Sequence, residues 1–252
     1  MYRFLLSPRW LRLLAGAVAV AVACVALGFW QLDRLQDRRE RGALLRDNLQ
    51  QPAVPAANVL REDRPVPAAR QFRRVTATGR YDPGRQLLVR NRPFRGATGY
   101  YVLVPLRTED GTALLVNRGW TPAGRTAERP DSVPATPAGT VTVTGRVRVS
   151  EPRATGAAPP PGQVTRVDVA AIAADLPYPL YGGFVERLRE EPAPAEAPRV
   201  LPEPEVDFGP HLAYALQWWL FALIALGGFV VLARREAHDP LPRREAHDPL
   251  PR

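Results

Sequence analysis

Residues 212–233 run for 22 positions without a charged side chain. At helical rise such a run reaches about 33 Å, enough to cross a hydrocarbon core of roughly 30 Å. A second uncharged run, residues 13–32, is 20 positions long and follows Arg3, Arg9 and Arg12. Inside a bilayer the backbone must satisfy its own polar groups, so both runs are expected as membrane-spanning helices. The first run continues past Cys24 to Trp30, beyond the point where a signal peptide's apolar region ends, and is read as a retained span. A cleaved signal, or a lipoprotein signal with Ala21-Val22-Ala23-Cys24 as its lipobox, is the alternative.

Orientation rests on the second span. Glu203, Glu205 and Asp207 precede it, and Arg234, Arg235, Arg243 and Arg244 follow. Positive residues on a short flank stay inside, which puts both termini in the cytoplasm and the intervening segment outside. The expected organisation is a cytoplasmic N-terminus at 1–12, a first span at 13–32, an extracytoplasmic domain at 33–211, a second span at 212–233 and a disordered cytoplasmic tail at 234–252. That tail contains the nonapeptide Arg-Arg-Glu-Ala-His-Asp-Pro-Leu-Pro twice, so His238 and His247 read as passengers of a duplication.

The remaining histidine, His211, opens the second span behind Pro210, in the first turn. Neutral imidazole is the ligand form of histidine. Tyr214, Ala215 and Trp218 follow at i+3, i+4 and i+7, so they share its face and continue about 10 Å into the bilayer. The result is an aromatic wall headed by a nitrogen donor, or, more plainly, a headgroup-level aromatic belt with a helix-capping histidine. At the outer end of the first span, Gly28 is small enough to admit another helix and Trp30 suits the interface.

Between the spans, residues 33–51 are charged with leucines at intervals and read as the first helix continuing until Pro52. Short β runs come next, at 72–80, 86–90, 99–106 and 112–118, the last two joined by Asp110-Gly111 as a two-residue hairpin loop. Residues 140–149 alternate as a strand with one wet face. Residues 164–169 make a weaker strand, 170–176 a short helix, and 178–187 a last strand interrupted at Gly182-Gly183. Residues 130–139 and 151–162 are rich in Pro, Ala and Gly and read as exposed loops, and 190–205 as a stiff extended tether. The fold class is therefore a membrane α+β protein, two transmembrane helices flanking a β-rich extracytoplasmic domain.

All 34 basic residues are arginine, and the net charge is +9. These arginines are scattered among strands and both membrane flanks instead of forming a stripe, which argues against nucleic acid. The single Cys24 excludes an intrachain disulfide, a CxxC pair and a thiolate cluster. No GxSxG, HExxH, Walker or dinucleotide motif is present, and a triad built on Ser132 or Ser150 has no base to use, so an enzyme is not expected. Asn91, Arg92, Asn117, Arg118, Gly119 and Trp120 stand out in the β segment. Arg92, Asn117, Arg118 and Trp120 suit an anionic group or a docking surface, and a strand end with a core Trp equally.

Taken together, several motifs resemble the Surfeit locus protein 1 family of cytochrome c oxidase assembly factors. They are Gly28-Phe29-Trp30-Gln31 with Arg34, Gly79 and Tyr81, Gly99-Tyr100 leading to Pro105-Leu106, Val116-Asn117-Arg118-Gly119-Trp120, and His211-Leu212 with Tyr214-Ala215 and Gln217-Trp218. The resemblance implies a two-span protein of the bacterial plasma membrane or mitochondrial inner membrane with an outer β-rich domain. It also implies subunit I of a haem-copper oxidase as partner, haem a synthase as a second, and membrane lipid around the spans. Some bacterial members bind haem a, for which the histidine opening the second span is implicated; His211 matches it, with Pro210 where the family often has Asn. A farnesylated porphyrin needs an apolar aromatic slot, an axial imidazole and cations for its propionates. Trp30, His211, Tyr214 and Trp218 with Arg34 supply these parts if the outer helix ends are neighbours. The rival reading is a cofactor-free scaffold holding nascent oxidase subunits; a membrane-anchored hydrolase comes last.

Overall fold

The structure, a computed structural model, describes residues 3–62, 64–126, 128–204 and 209–238. In chain order its elements are α1 (Pro8–Gln50), β1 (Val54–Pro55), β2 (Arg74–Tyr81), β3 (Leu87–Phe94), β4 (Ala97–Thr108), β5 (Ala113–Pro122), β6 (Val141–Val149), β7 (Gln163–Val164), α2 (Val169–Ala174), β8 (Leu180–Glu191) and α3 (His211–His238). Two compact units result, Met1–Gly42 with Asp207–Arg252 and Ala43–Val206. α1 and α3 are both long and apolar enough to cross a membrane. At 43 residues α1 is about 65 Å long, twice a hydrocarbon core, because no Pro or Gly pair interrupts it before Pro52. The expected helical continuation past residue 33 is present. α3 likewise runs on to His238, so Arg234 to His238 are helical where a disordered tail was expected; the rest of the duplicated nonapeptide lies outside the described residues.

In the second unit β2, β6, β8, β5 and β4 pair in that order, and β4 returns to pair with the end of β2 at Gly79–Thr108 and Tyr81–Leu106. Five strands thus close into a small barrel, which removes their edges. Neighbours are antiparallel except β5 and β8, which are parallel. β3 extends the sheet from β4 and carries β7, while β1 adds to β2. Side-chain alternation divides the apolar residues into two sets. Val75, Ala77, Val102, Val104, Leu106, Leu114, Val116, Val141, Val143 and Val185 fill the barrel. Their alternates Leu103, Ala113, Leu115, Leu180 and Phe184 pack outside it with Val89 and with Val169 and Ile172 of α2. Covered on both faces, β5 opens as an unbroken apolar run at 113–116, and the polar Asn117 and Arg118 that follow are buried too.

Several expectations change. The β4–β5 loop holds three residues, 109–111: Thr108 N–H bonds Thr112 O at 3.1 Å and Gly111 N–H bonds Thr108 O at 3.2 Å. Only Gly111 takes a positive φ, +89°, as in a type I turn closed by one left-handed residue rather than a two-residue turn needing two. The strand expected at 164–169 is reduced to Gln163–Val164, and its far end turns helical because the Asp168 carboxylate caps Ala171 N–H at 3.1 Å and starts α2 at Val169. β8 is not broken at Gly182-Gly183 but bulged, its pairing stepping from Ala113–Leu180 to Leu115–Phe184. A Cβ on Gly182 would overlap the Arg64 carbonyl, which is why that position is glycine. The segment expected as a free tether is part of the domain: Arg199 and Trp120 exchange two 2.8 Å backbone hydrogen bonds, and Leu201 is buried.

The wet face of β6 is also dry at Arg146. Its Nε donates to Glu186 Oε2 at 2.6 Å, and Arg148 Nη1 lies 3.4 Å from Oε1. Four residues along β8, Glu190 is fully enclosed; its carboxylate accepts from Arg118 Nε at 3.0 Å, Arg187 Nη1 at 3.4 Å and the Tyr81 hydroxyl at 2.5 Å. The remaining guanidinium donors reach main-chain carbonyls, Arg118 those of Pro134 and Ala135, Arg187 that of Pro198, and Arg146 those of Leu201 and Pro202. Residues 130–139, expected as an exposed loop, are thereby tied to the barrel.

Replacing Glu190 by Gln strands two buried guanidinium groups and should cost about 3–5 kcal/mol in urea unfolding, whereas Tyr81→Phe, which removes one donor, should cost about 1–2 kcal/mol; equal small losses would refute the network's role. Tyr81, Tyr178 and Tyr181 each donate to a carboxylate, at 2.5, 2.8 and 2.7 Å. Burial first, then the neighbouring carboxylate, raises all three pKa values from 10.0, that of Tyr181 to about 12. Such groups hold their proton more tightly folded than unfolded, so their stability contribution is complete below pH 10 and is lost as pH climbs through the folded values. The urea midpoint should therefore fall progressively between pH 10 and 12, and less steeply in Tyr181→Phe.

Candidate functional site

α1 and α3 run antiparallel, with Trp10 edge-on to Phe229 at 5.7 Å at one end and Gln31 beside His211 at the other. Small residues let them approach: Ala21, Cys24 and Ala222 form a buried cluster, and Ala215 of α3 is buried. Without a hydrophobic drive between helices in lipid, such small-residue contact is what association relies on. Above Gly28 lies the indole of Trp219, which a Cβ there would overlap, and the same indole meets Phe29 edge-on at 5.6 Å. The helix seam therefore narrows at Gly28, one turn below the polar pair.

That pair is the chemically distinctive feature. Gln31 Oε1 accepts a 2.8 Å hydrogen bond from His211 Nδ1. A proton on Nδ1 leaves the lone pair on Nε2, and among the described residues Nε2 is enclosed without a hydrogen-bond partner. An orphaned acceptor costs about 1–3 kcal/mol, and a fixed tautomer with one bare nitrogen is what an imidazole ligand presents. Beside it Gly209 holds a left-handed φ of +63°, and a Cβ there would stand 3.3 Å from Nε2 and 3.7 Å from Arg38 Nη1. Glycine thus keeps clear a corner bounded by an imidazole nitrogen and a guanidinium.

The expected aromatic wall is only partly assembled. Trp218 packs on the Ala21, Cys24 and Ala222 cluster, inside the seam, and edge-on to Phe221 at 5.8 Å. Tyr214 and Trp30 stay about half exposed, at 47% and 51%. Arg34 lies over the Trp30 ring at 5.6 Å. Gln31, Arg38, Gly209 and Trp219 were not singled out from sequence. A glutamine inside an otherwise uncharged run was the available signal for the first, since an amide in lipid needs a partner.

The β-segment candidates fare differently. Asn117, Arg118 and Trp120 are not a surface: all three are buried, Arg118 completely. Asn117 Oδ1 accepts from Gly119 N–H at 3.0 Å, and Trp120 Nε1 donates to Arg92 O at 2.8 Å while its ring stacks on Phe94 at 5.0 Å. Their polar groups close the barrel end, so none can meet an outside anion. Arg92 alone retains part of its surface, paired with Glu151 at 2.6 Å.

The seam is directly testable. Gly16 has open space where a Cβ would go, so Gly16→Ala should be neutral or raise the thermal midpoint slightly through helix propensity; Gly28→Ala should lower it by displacing Trp219. The same response from both variants would contradict the packing.

Compared with known proteins, residues 18–223 match the model of the SURF1 family. SURF1-like proteins of Mycobacterium bovis and Mycobacterium tuberculosis are each 35% identical to it over 95% of this chain and 92% of their own. A SURF1-like protein of Rickettsia bellii is 31% identical over 39% of either chain. The match takes in the barrel and both sides of the helix seam, including Gln31 and His211: the chain belongs to the SURF1 family.

Proposed function

We propose that this chain is an assembly factor for an aa3-type haem-copper oxidase, holding haem a through His211 while the group is delivered to or retained in subunit I. The family is associated with cytochrome c oxidase assembly. The observation that carries the ligand role is the enclosed, unpartnered Nε2 of His211, with Nδ1 held by Gln31. Among the described residues no group of three His, Cys, Asp or Glu side chains stands together. A lone imidazole suits a metal that arrives with four equatorial nitrogens of its own, as haem iron does, and needs one axial donor. Gln31 fixes the tautomer and the ring. Arg34 and Arg38 provide cations for two propionates, Trp30 and Tyr214 the half-exposed aromatic surface a farnesylated ring would use.

In this reading the chain spans the bacterial plasma membrane twice with both termini in the cytoplasm, the barrel lies outside, and haem a synthase is the donor. The chain then acts by holding and release rather than by catalysis.

The protein co-expressed with haem a synthase and purified in detergent should carry bound haem a, seen in its absorption spectrum. His211→Ala should lose it, and Gln31→Ala should weaken retention by about 10- to 100-fold, the usual effect of removing a partner behind a ligand. Unchanged haem in His211→Ala would sink the ligand role and leave the cofactor-free scaffold.

A further inference from the structure

Beside the outer edge of the barrel, β3 and the segments following β6 enclose a concavity of about 470 Å³. Arg90, Arg92, Arg153 and Arg166 line it, with Asn91 and Thr165 among them; among the described residues no carboxylate does. One acid touches the group from behind: Glu151 Oε2 accepts from Arg92 Nη2 at 2.6 Å and from Val167 N–H at 2.9 Å. That pairing neutralises one guanidinium; among the described residues Arg90, Arg153 and Arg166 make no ion pair of their own, and the Nε atoms of Arg90 and Arg92 are enclosed without an acceptor. Like charges gathered around one hollow repel, and buried donors without partners are unfavourable, so the arrangement is poorly satisfied by the protein alone.

The backbone is bent to produce it. Pairing between β3 and β4 slips between Val89 and Arg92, and Asn91 takes a left-handed φ of +56°. A bulge of this kind re-aims side chains next to binding sites, and a strained non-glycine residue persists where its surroundings hold it. Here it sets two successive arginines of one strand around the same hollow.

We infer that this concavity binds a phosphate-bearing molecule. Planar guanidinium forks match the oxygens of a tetrahedral oxyanion two at a time, and a dianion offsets more of the charge on Arg90, Arg153 and Arg166 than a single carboxylate does. The volume exceeds that of a bare phosphate and leaves room for a small organic part, as in a phosphomonoester or the headgroup of an anionic phospholipid. The site is independent of the haem reading, because it lies wholly within the barrel unit and uses none of the residues around His211.

Titration of the full-length protein in nonionic detergent, at constant ionic strength set with chloride, tests this with three probes: inorganic phosphate, glycerol 3-phosphate, and phosphatidylglycerol against phosphatidylcholine in mixed micelles. Binding read by calorimetry and by the thermal midpoint should be specific for phosphate over chloride, and at least 10-fold weaker in R90Q/R166Q. Soluble probes binding in neutral detergent identify a free phosphate ester; stabilisation by phosphatidylglycerol alone identifies a headgroup. If the double variant does not unfold cooperatively, R166Q alone decides, since Arg166 is exposed and unpaired by hydrogen bond; a loss of about 3-fold or more supports the site. No response to any of the three probes, or equal affinity in wild type and variant, overturns it.

Discussion

Two carboxylates on β8, Glu186 and Glu190, tie the strands of the barrel unit to the irregular segments around it. Each sits where the barrel has excluded water: Glu186 draws in Arg146 and Arg148 of β6, and Glu190 draws in Arg118 of β5 and Arg187 of β8 itself. The guanidinium groups have donors to spare, and those donors secure three main-chain segments that lack ladder partners of their own: 134–135, 198 and 201–202. Buried ion pairs are weak evidence for stability as such, because desolvation offsets much of their attraction. What they supply here is placement. A proline-rich chain without regular hydrogen bonding is pinned at defined points, and it packs as part of the domain.

The helical unit solves the converse problem. α1 and α3 are held by fit, with alanine, cysteine and glycine on one side and indole rings on the other, the kind of contact that helices in lipid depend on. Polar chemistry is confined to the end of the seam, where Gln31 and His211 satisfy each other through one nitrogen and leave the second bare. One amide decides the tautomer, and the tautomer decides whether the imidazole is a donor of protons or of electrons.

Much of this was legible in the sequence where a pattern has a single physical outcome. Uncharged runs of 20 and 22 residues give long apolar helices, the alternation of 140–149 gives a strand, and Asp110-Gly111 marks a hairpin. Less legible was anything that depends on what lies opposite. Arg118 looks like surface chemistry until Glu190, some 70 residues on, is known to face it, and Arg146 looks wet until Glu186 meets it. Spacing put Trp218 on the face of His211, yet it is Trp219 that crosses Gly28. His211 was found because histidine is scarce; Gln31 was missed because its partner is 180 residues away.

The position of β8 in the barrel also bears on how the chain matures. It is the last strand to be made, and it inserts between β5 and β6, pairing with both. Until it arrives, two strand edges stand open and the arginines they carry have no counter-ion. High sequence separation of this kind slows closure. A nascent chain therefore passes through an interval in which its exposed ladders invite pairing with other chains. Early in its making, the barrel is most exposed to wrong partners where its last strand will go.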